Sequence, residues 1–302
     1  MNTSKKIILA GGSGFIGKEL SQYFEKQGVE VIILTRNPKK QNERFWDGKN
    51  LDNWKETLED AWAVINLAGK TINCRFTEKN KKEIIESRTD STKIIGKAIM
   101  ECKKPPKFWL NTSTATLYKE SIANELPKTE NDNIYDNGFT EEVAKIWERT
   151  FDEIFVKETK KAILRTSIVL GKTGGAFPML LKLAKRGLCT PQASGNQYIT
   201  WIHILDYCRA VNFILENEIQ GIFNMCAPNP VTNKHFNNCL KKKVKPLFTL
   251  PQPKWLLEMG AVFVGTETEL ILKSSNVVPQ RLITEGFDFQ YKTIETAFDN
   301  LI

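Results

Sequence analysis

Only two histidines, His203 and His235, occur in 302 residues, and the six cysteines (Cys74, Cys102, Cys189, Cys208, Cys226 and Cys239) include no C-x-x-C pair. Both histidines are taken to stand alone, no metal-ligand spacing is recognised, and no metal is expected. Cysteines scattered in this way suit free thiols in a reducing compartment. No low-complexity tract is present. The most apolar late segment, Trp255 to Gly265, contains Glu258 and is too short to cross a bilayer. Lys5-Lys6 ahead of Ile7–Ala10 imitates the start of a signal peptide. That apolar run is short and glycine-filled and leads to Lys18-Glu19, so it is better read as a strand and turn. These absences argue against a disulfide scaffold or a membrane span, and a cytoplasmic location is expected.

Lysine and arginine (43) outnumber aspartate and glutamate (35), giving a net charge of +8 that raises nucleic acid as a partner. The charges are interleaved, however, as in Glu78 to Glu86, in the manner of a solvated helix face. Only Lys241-Lys242-Lys243 with Lys245 forms a like-charge run, and nucleic-acid binding is not expected. Hydrophobic residues at 41% and charged residues at 26% fit a soluble globular chain. The length suits one enlarged α/β domain, or a domain with a small second one.

What the chain does have is a glycine cluster at its start, Gly11-Gly12-Ser13-Gly14-Phe15-Ile16-Gly17, placed between the β-rich run Ile7–Ala10 and a helical pattern containing Leu20, Tyr23 and Phe24. Strand, glycine turn, helix is the order that a dinucleotide-binding turn requires. Gly11 can take the tight turn, Gly14 leaves no side chain between backbone and pyrophosphate, and Gly17 lets the helix lie close to the strand. The helix N-terminus then offers amides and a positive dipole end to phosphate. A glycine-rich turn without a ligand is the plainer alternative. After Gly28 the run Val29 to Leu34 reads as a strand buried on both faces, and it ends in Thr35-Arg36-Asn37-Pro38-Lys39-Lys40. No acid stands there to hold a ribose 2′-hydroxyl. Arg36, with Lys39 and Lys40 nearby, suits a 2′-phosphate, so NADP(H) is expected over NAD, the alternative being a solvated basic loop.

Further along, Ala63–Gly69 is a strand running into a small-residue turn, and Thr77 can N-cap a long helix from Glu78 to about Glu101. Pro105-Pro106 precedes a strand over Lys107–Asn111, a helical period covers Thr140–Phe155, and Ala162–Leu170 is strand-like. Phe177–Arg186 and Leu205–Leu215 look helical, and Ile222–Met225 looks like a strand. The alternation predicts an α/β protein, a Rossmann-like doubly wound parallel sheet with its ligand beyond the carboxyl ends of the strands. From Pro246 onward prolines punctuate two or three short helices, which predicts a dinucleotide-binding domain over 1–245 and a mainly helical cap over 246–302 that helps cover the pocket.

These residues resemble the extended short-chain dehydrogenase/reductases, or NAD-dependent epimerase/dehydratase-like proteins. The glycine turn, Asn66-Leu67-Ala68-Gly69, Thr114-Ala115-Thr116-Leu117-Tyr118 and Trp201-Ile202-His203-Ile204-Leu205-Asp206 match in order. Ser87-Arg88, Trp147-Glu148, Pro279-Gln280-Arg281-Leu282 and Glu285-Gly286-Phe287-Asp288-Phe289 are similar to a subgroup labelled epimerase family proteins, whose tail is a domain of unknown function. The superfamily's chemistry uses a Tyr-x-x-x-Lys pair, with the lysine lowering the phenol's pKa. No tyrosine here has a lysine four residues later, and the matching positions, counted back from Glu148, are Thr140 and Ala144.

On this resemblance the cofactor-binding residues are Gly11, Ser13, Gly14, Phe15, Ile16, Gly17, Thr35, Arg36, Leu67, Ala68, Gly69 and Thr112. Thr114 falls at the superfamily's catalytic Ser/Thr position, though it is equally a strand-end threonine. The substrate pocket is expected to involve Arg88, Tyr118, Trp201 and His203. Arg88 stands where the wider family has an asparagine, which suggests an anionic substrate or else a surface salt bridge. Tyr118 is either a replacement proton donor or a core residue, and a lone histidine such as His203 is often structural. The resemblance implies an oxidoreductase acting on a small carbonyl or alcohol, as a monomer or homodimer. The alternatives are a non-catalytic cofactor-binding regulator, some relatives carrying cell-division-related names, and a sugar-nucleotide epimerase or dehydratase.

Overall fold

Residues 5–122, 125–192, 194–250 and 273–302 are described by the computed structural model. Residues 251–272 of the proline-punctuated region after Pro246, with the apolar segment Trp255–Gly265, lie outside them. In chain order the elements are β1 (Lys6–Ala10), α1 (Phe15–Glu25), β2 (Glu30–Thr35), β3 (Glu43–Phe45), β4 (Ala63–Asn66), α2 (Glu78–Glu101), β5 (Phe108–Thr114), α3 (Phe139–Asp152) and β6 (Lys160–Thr166). There follow β7 (Ile168–Leu170), α4 (Phe177–Lys185), β8 (Tyr198–Ile199), β9 (Trp201–His203), α5 (Ile204–Glu216), β10 (Gly221–Met225), β11 (Val231–Thr232) and α6 (Asn233–Val244). The last two are α7 (Gln280–Thr284) and α8 (Ile294–Leu301).

The main sheet has seven parallel strands in the order β3-β2-β1-β4-β5-β6-β10. Strand order reverses between β1 and β4, which makes the crevice at their carboxyl ends the natural ligand position. Both faces of the sheet are buried, which explains the unbroken apolar runs. Ile7 and Leu9 of β1 pack with α1 and α5, whereas Ile8 and Ala10 pack with α2. The strand expected over Ala162–Leu170 is two strands: β6 stays in the sheet, and β7 turns away to pair with β9.

The C-terminal segment shares its core with the rest of the described chain. Leu282, Phe287 and Phe289 enter the cluster under α1 and α5. Tyr291, Ile294, Phe298 and Leu301 pack with Phe177 of α4 and Phe236 of α6. Asp206, fully buried in the first turn of α5, secures the junction: it accepts the amides of Gln290 (3.0 Å) and Tyr291 (2.7 Å) and the guanidinium of Arg209 (2.7 Å). No helix of the described residues is long and apolar enough to cross a membrane.

Candidate functional site

The carboxyl ends of β1, β4 and β5 open into a cleft of about 550 Å³, lined by residues between Gly11 and Thr166. Gly11 turns the chain off β1 at φ +73°, and a Cβ there would come within 2.9 Å of the Ala68 backbone. A Cβ on Gly17 would lie 2.2 Å from the Gly12 carbonyl oxygen, so helix and turn meet only because neither carries a side chain at that point. Gly14 instead faces open space, with nothing within 4 Å of where its Cβ would be. It N-caps α1 without a side-chain bond and with no acid in the first turn, which leaves the helix's first amides able to hold an anion. Phe15 and Ile16 line the cleft beside it, whereas Ser13 is exposed at the tip of the turn. Thr35 is buried and Arg36 exposed at the end of β2, next to Leu34, whose carbonyl accepts the Gly11 amide at 2.9 Å.

Leu67, Ala68 and Gly69 form the facing wall. Their turn is fixed by Asn66: its Oδ1 accepts the Ala68 amide (3.1 Å), and its Nδ2 donates to Asn111 Oδ1 (2.8 Å) and Thr92 Oγ1 (3.2 Å). Thr112 closes the set by donating its hydroxyl to the Asn66 carbonyl at 2.9 Å. Such buried polar groups hold their geometry because an unpaired one would be costly.

Arg88 of α2 enters the same cleft. Its Nη1 donates to the carbonyls of Ile84 (2.9 Å) and Lys70 (3.1 Å), and its guanidinium sits 5.0 Å over the Trp147 ring. Burial lowers its pKa to about 10. These hydrogen bonds go to neutral carbonyls, so among the described residues the positive charge has no carboxylate partner and is able to receive an anion.

Thr114 ends β5 inside the cleft, with its Oγ1 accepting the Thr116 amide (3.2 Å) and lying 2.9 Å from the Thr116 hydroxyl. Thr140, Val143, Ala144 and Trp147 present one face of α3 to the cleft. Thr140 and Ala144, the positions matching the family's Tyr/Lys pair, therefore do line the site, and they bring neither phenol nor ammonium to it. Val143, Trp147 and Lys70, which share the lining, were not expected there from the sequence. The spacing Thr140, Val143, Ala144, Trp147 was the available signal, since it marks one helical stripe.

Three expected pocket residues lie elsewhere. Tyr118 is 2% exposed, receives Arg165 Nη1 at 2.7 Å and donates to Asn224 Oδ1 at 2.9 Å. Burial pushes its phenol well above the usual range, which unsuits it as a proton donor. Trp201 is buried and donates to the Asn229 carbonyl (3.3 Å). His203 caps α5, its Nδ1 accepting the Leu205 amide at 3.1 Å, so Nε2 carries the proton and donates to Asn300 Oδ1 at 3.1 Å. It stacks on Tyr291 with ring centroids 3.8 Å apart. Trp201 and His203 thus seat the C-terminal segment and do not wall the cleft.

Residues 7–226 match the NAD dependent epimerase/dehydratase family. The chain belongs to that family. Residues 252–301 match a domain of unknown function, DUF1731. The chain is 31% identical over 303 residues to the epimerase family protein YfhF of Bacillus subtilis, covering 98% of this chain and 97% of that one. It is 30% identical to the mouse epimerase family protein SDR39U1, covering 98% and 99% respectively. The crystal structure of human SDR39U1 (isoform 2) with NADPH superposes with a TM-score of 0.88 at 28% identity, covering 98% of each chain.

Proposed function

We propose that the chain binds NADP(H) across the carboxyl ends of β1, β2 and β4 and acts as an oxidoreductase on a small, anionic carbonyl or alcohol. The observation that carries the cofactor is the open cradle at Gly14, beside an uncapped helix N-terminus. That site accepts a diphosphate without displacing any side chain. Gly11 to Gly17 would hold the diphosphate, Thr35 and Arg36 the phosphorylated ribose, and Leu67, Ala68, Gly69 and Thr112 the far end of the dinucleotide. NADPH supplies the hydride when bound. A family member at 28% identity crystallised with NADPH supports the same reading.

The chain's own contribution is positioning and charge. Arg88 would draw a carboxylate or phosphate of the substrate into the cleft, and the Thr114 hydroxyl would donate to the substrate's oxygen. The six cysteines, all free, support a reducing, cytoplasmic setting. A second reading, a cofactor-binding regulator without turnover, is favoured by Thr140 and Ala144 at the Tyr/Lys positions. A panel of aldehydes, ketones and keto acids added to the NADPH complex separates the two. NADPH oxidation with the anionic members, weakened in Arg88→Met, is the expected outcome. Tight NADPH binding with no oxidation across the panel would favour the regulator.

A further inference from the structure

Thr232 caps α6 by accepting the amide of His235, and the helix then carries His235 and Cys239 one turn apart on one face. That face meets the first turn of α8, where Glu295 stands. Cys239 Sγ and His235 Nε2 are 3.5 Å apart, Cys239 Sγ and Glu295 Oε1 3.2 Å, and His235 Nε2 and Glu295 Oε1 2.8 Å. One thiol, one imidazole and one carboxylate thus converge from two helices that are far apart in sequence.

The triangle has the dimensions of a metal site. A tetrahedral zinc ion with Zn–S near ~2.3 Å and Zn–N and Zn–O near ~2.0 Å sets ligand edges of roughly 3.5 Å for S···N and S···O, and roughly 3.3 Å for N···O. The first edge is already met. The other two need to open by a few tenths of an ångström, which the His235 and Glu295 side chains, 51% and 47% exposed, can do by rotation. The spacing is set by packing: Phe236, Cys239 and Leu240 of α6 share an apolar cluster with Ile294, Ala297 and Phe298 of α8, and the rings of Phe236 and Phe298 meet edge to face at 5.1 Å.

We propose that His235, Cys239 and Glu295 form a zinc-class metal site, with the fourth position left to water. On binding, the Cys239 thiol releases its proton to solvent and the S–metal bond replaces its hydrogen bond to Glu295. Neutral His235 coordinates through Nε2, and nothing is oxidised or reduced. One thiolate and one carboxylate cancel the ion's two positive charges. Binding thus takes the ligand set from one negative charge to none, a gain of one positive charge in the cleft that Lys241, Lys242, Lys243 and Lys245 also line. Lys243 is itself paired with Asp299, and exposed ammonium groups are screened by salt. A ligand set with sulfur and nitrogen selects Zn²⁺ or Co²⁺ over Mg²⁺ and Ca²⁺. The ion would tie α8 to α6 as a cross-link, in a cleft that shares no lining residue with the cofactor cleft. Sequence reading missed it because the third ligand lies 60 residues beyond His235.

The test is a Co²⁺ titration of the reduced, chelator-treated full chain, followed by Zn²⁺. The expected result is a thiolate-to-cobalt charge-transfer band that saturates at one equivalent and is bleached by Zn²⁺. The band is lost in both Cys239→Ala and His235→Gln and retained in Cys74→Ser. Zn²⁺ should also raise the thermal midpoint of the wild type but not of His235→Gln, whose exposed position leaves the core untouched. Absence of the band in the wild type, or its survival in Cys239→Ala, would overturn the proposal and leave the three side chains as a hydrogen-bonded surface group.

Discussion

Arg165 of β6 grips Glu148 of α3 with two prongs, Nε to Oε1 at 2.9 Å and Nη2 to Oε2 at 2.8 Å, and their side chains are 2% and 10% exposed. Burial alone would lower the Arg165 pKa, but Glu148 outweighs it and raises it. Ser113, which lines the cleft, donates to the same carboxylate at 2.6 Å. The pair therefore fixes the end of β5 against the helix that carries Thr140, Ala144 and Trp147. Glu148→Gln leaves a buried guanidinium without its counter-charge and is expected to cost about 3 kcal/mol or more in urea unfolding. Adding Arg165→Met should recover part of that loss. Additive destabilisation would contradict the pairing.

Arg88 is expected to behave in the opposite way. Its charge is half-buried and has no carboxylate partner among the described residues, so Arg88→Met should leave stability unchanged or slightly raised. The same change should abolish the binding of small anions to the NADPH complex, measured by calorimetry. A loss of several kcal/mol in stability with anion binding intact would make Arg88 a structural residue.

The glycines of the first turn separate by role. Gly17→Ala drives a methyl into the Gly12 backbone and should destabilise the fold by about 1–3 kcal/mol. Gly14→Ala places its methyl in open space, so thermal stability should hold while NADPH affinity falls. Equal effects of the two on stability would contradict this division.

Burial holds the His203 imidazole below its ordinary pKa, against the opposing effects of Asn300 and Asp206. The unfolded chain takes up that proton near pH ~6.5, before the folded chain does, so stability is lost as pH falls below the unfolded value and levels off below the folded one. The advantage of wild type over His203→Gln in urea unfolding should shrink from about pH 7.5 to about pH 5.5. A difference that is constant or grows toward acid would contradict a buried neutral histidine.

Sequence periodicity was a good guide wherever local chemistry decides structure. Thr77 caps α2 by accepting the Asn80 amide, and the helix runs from Glu78 to Glu101 as its apolar spacing indicated. The glycine turn and the wall at Leu67–Gly69 were legible because backbone sterics fix them. Trp201 and His203 were misplaced because their partners, Asn229 and Asn300, come from much later in the chain. Tyr118 was ambiguous for a similar reason, since Arg165 and Asn224 decide its environment. The pairs β7–β9 and β8–β11 are two or three residues long, too short to leave a period in the sequence.

The account rests on a diphosphate at Gly14 and a phosphorylated ribose at Arg36. Its most direct test is a titration of NADPH and NADH against intrinsic tryptophan fluorescence, in the wild type and in Arg36→Ala. NADPH should bind at least about tenfold more tightly than NADH, a difference of about 1.4 kcal/mol, and Arg36→Ala should remove the preference by weakening NADPH alone. Equal or tighter binding of NADH by the wild type, or binding of neither, would contradict it.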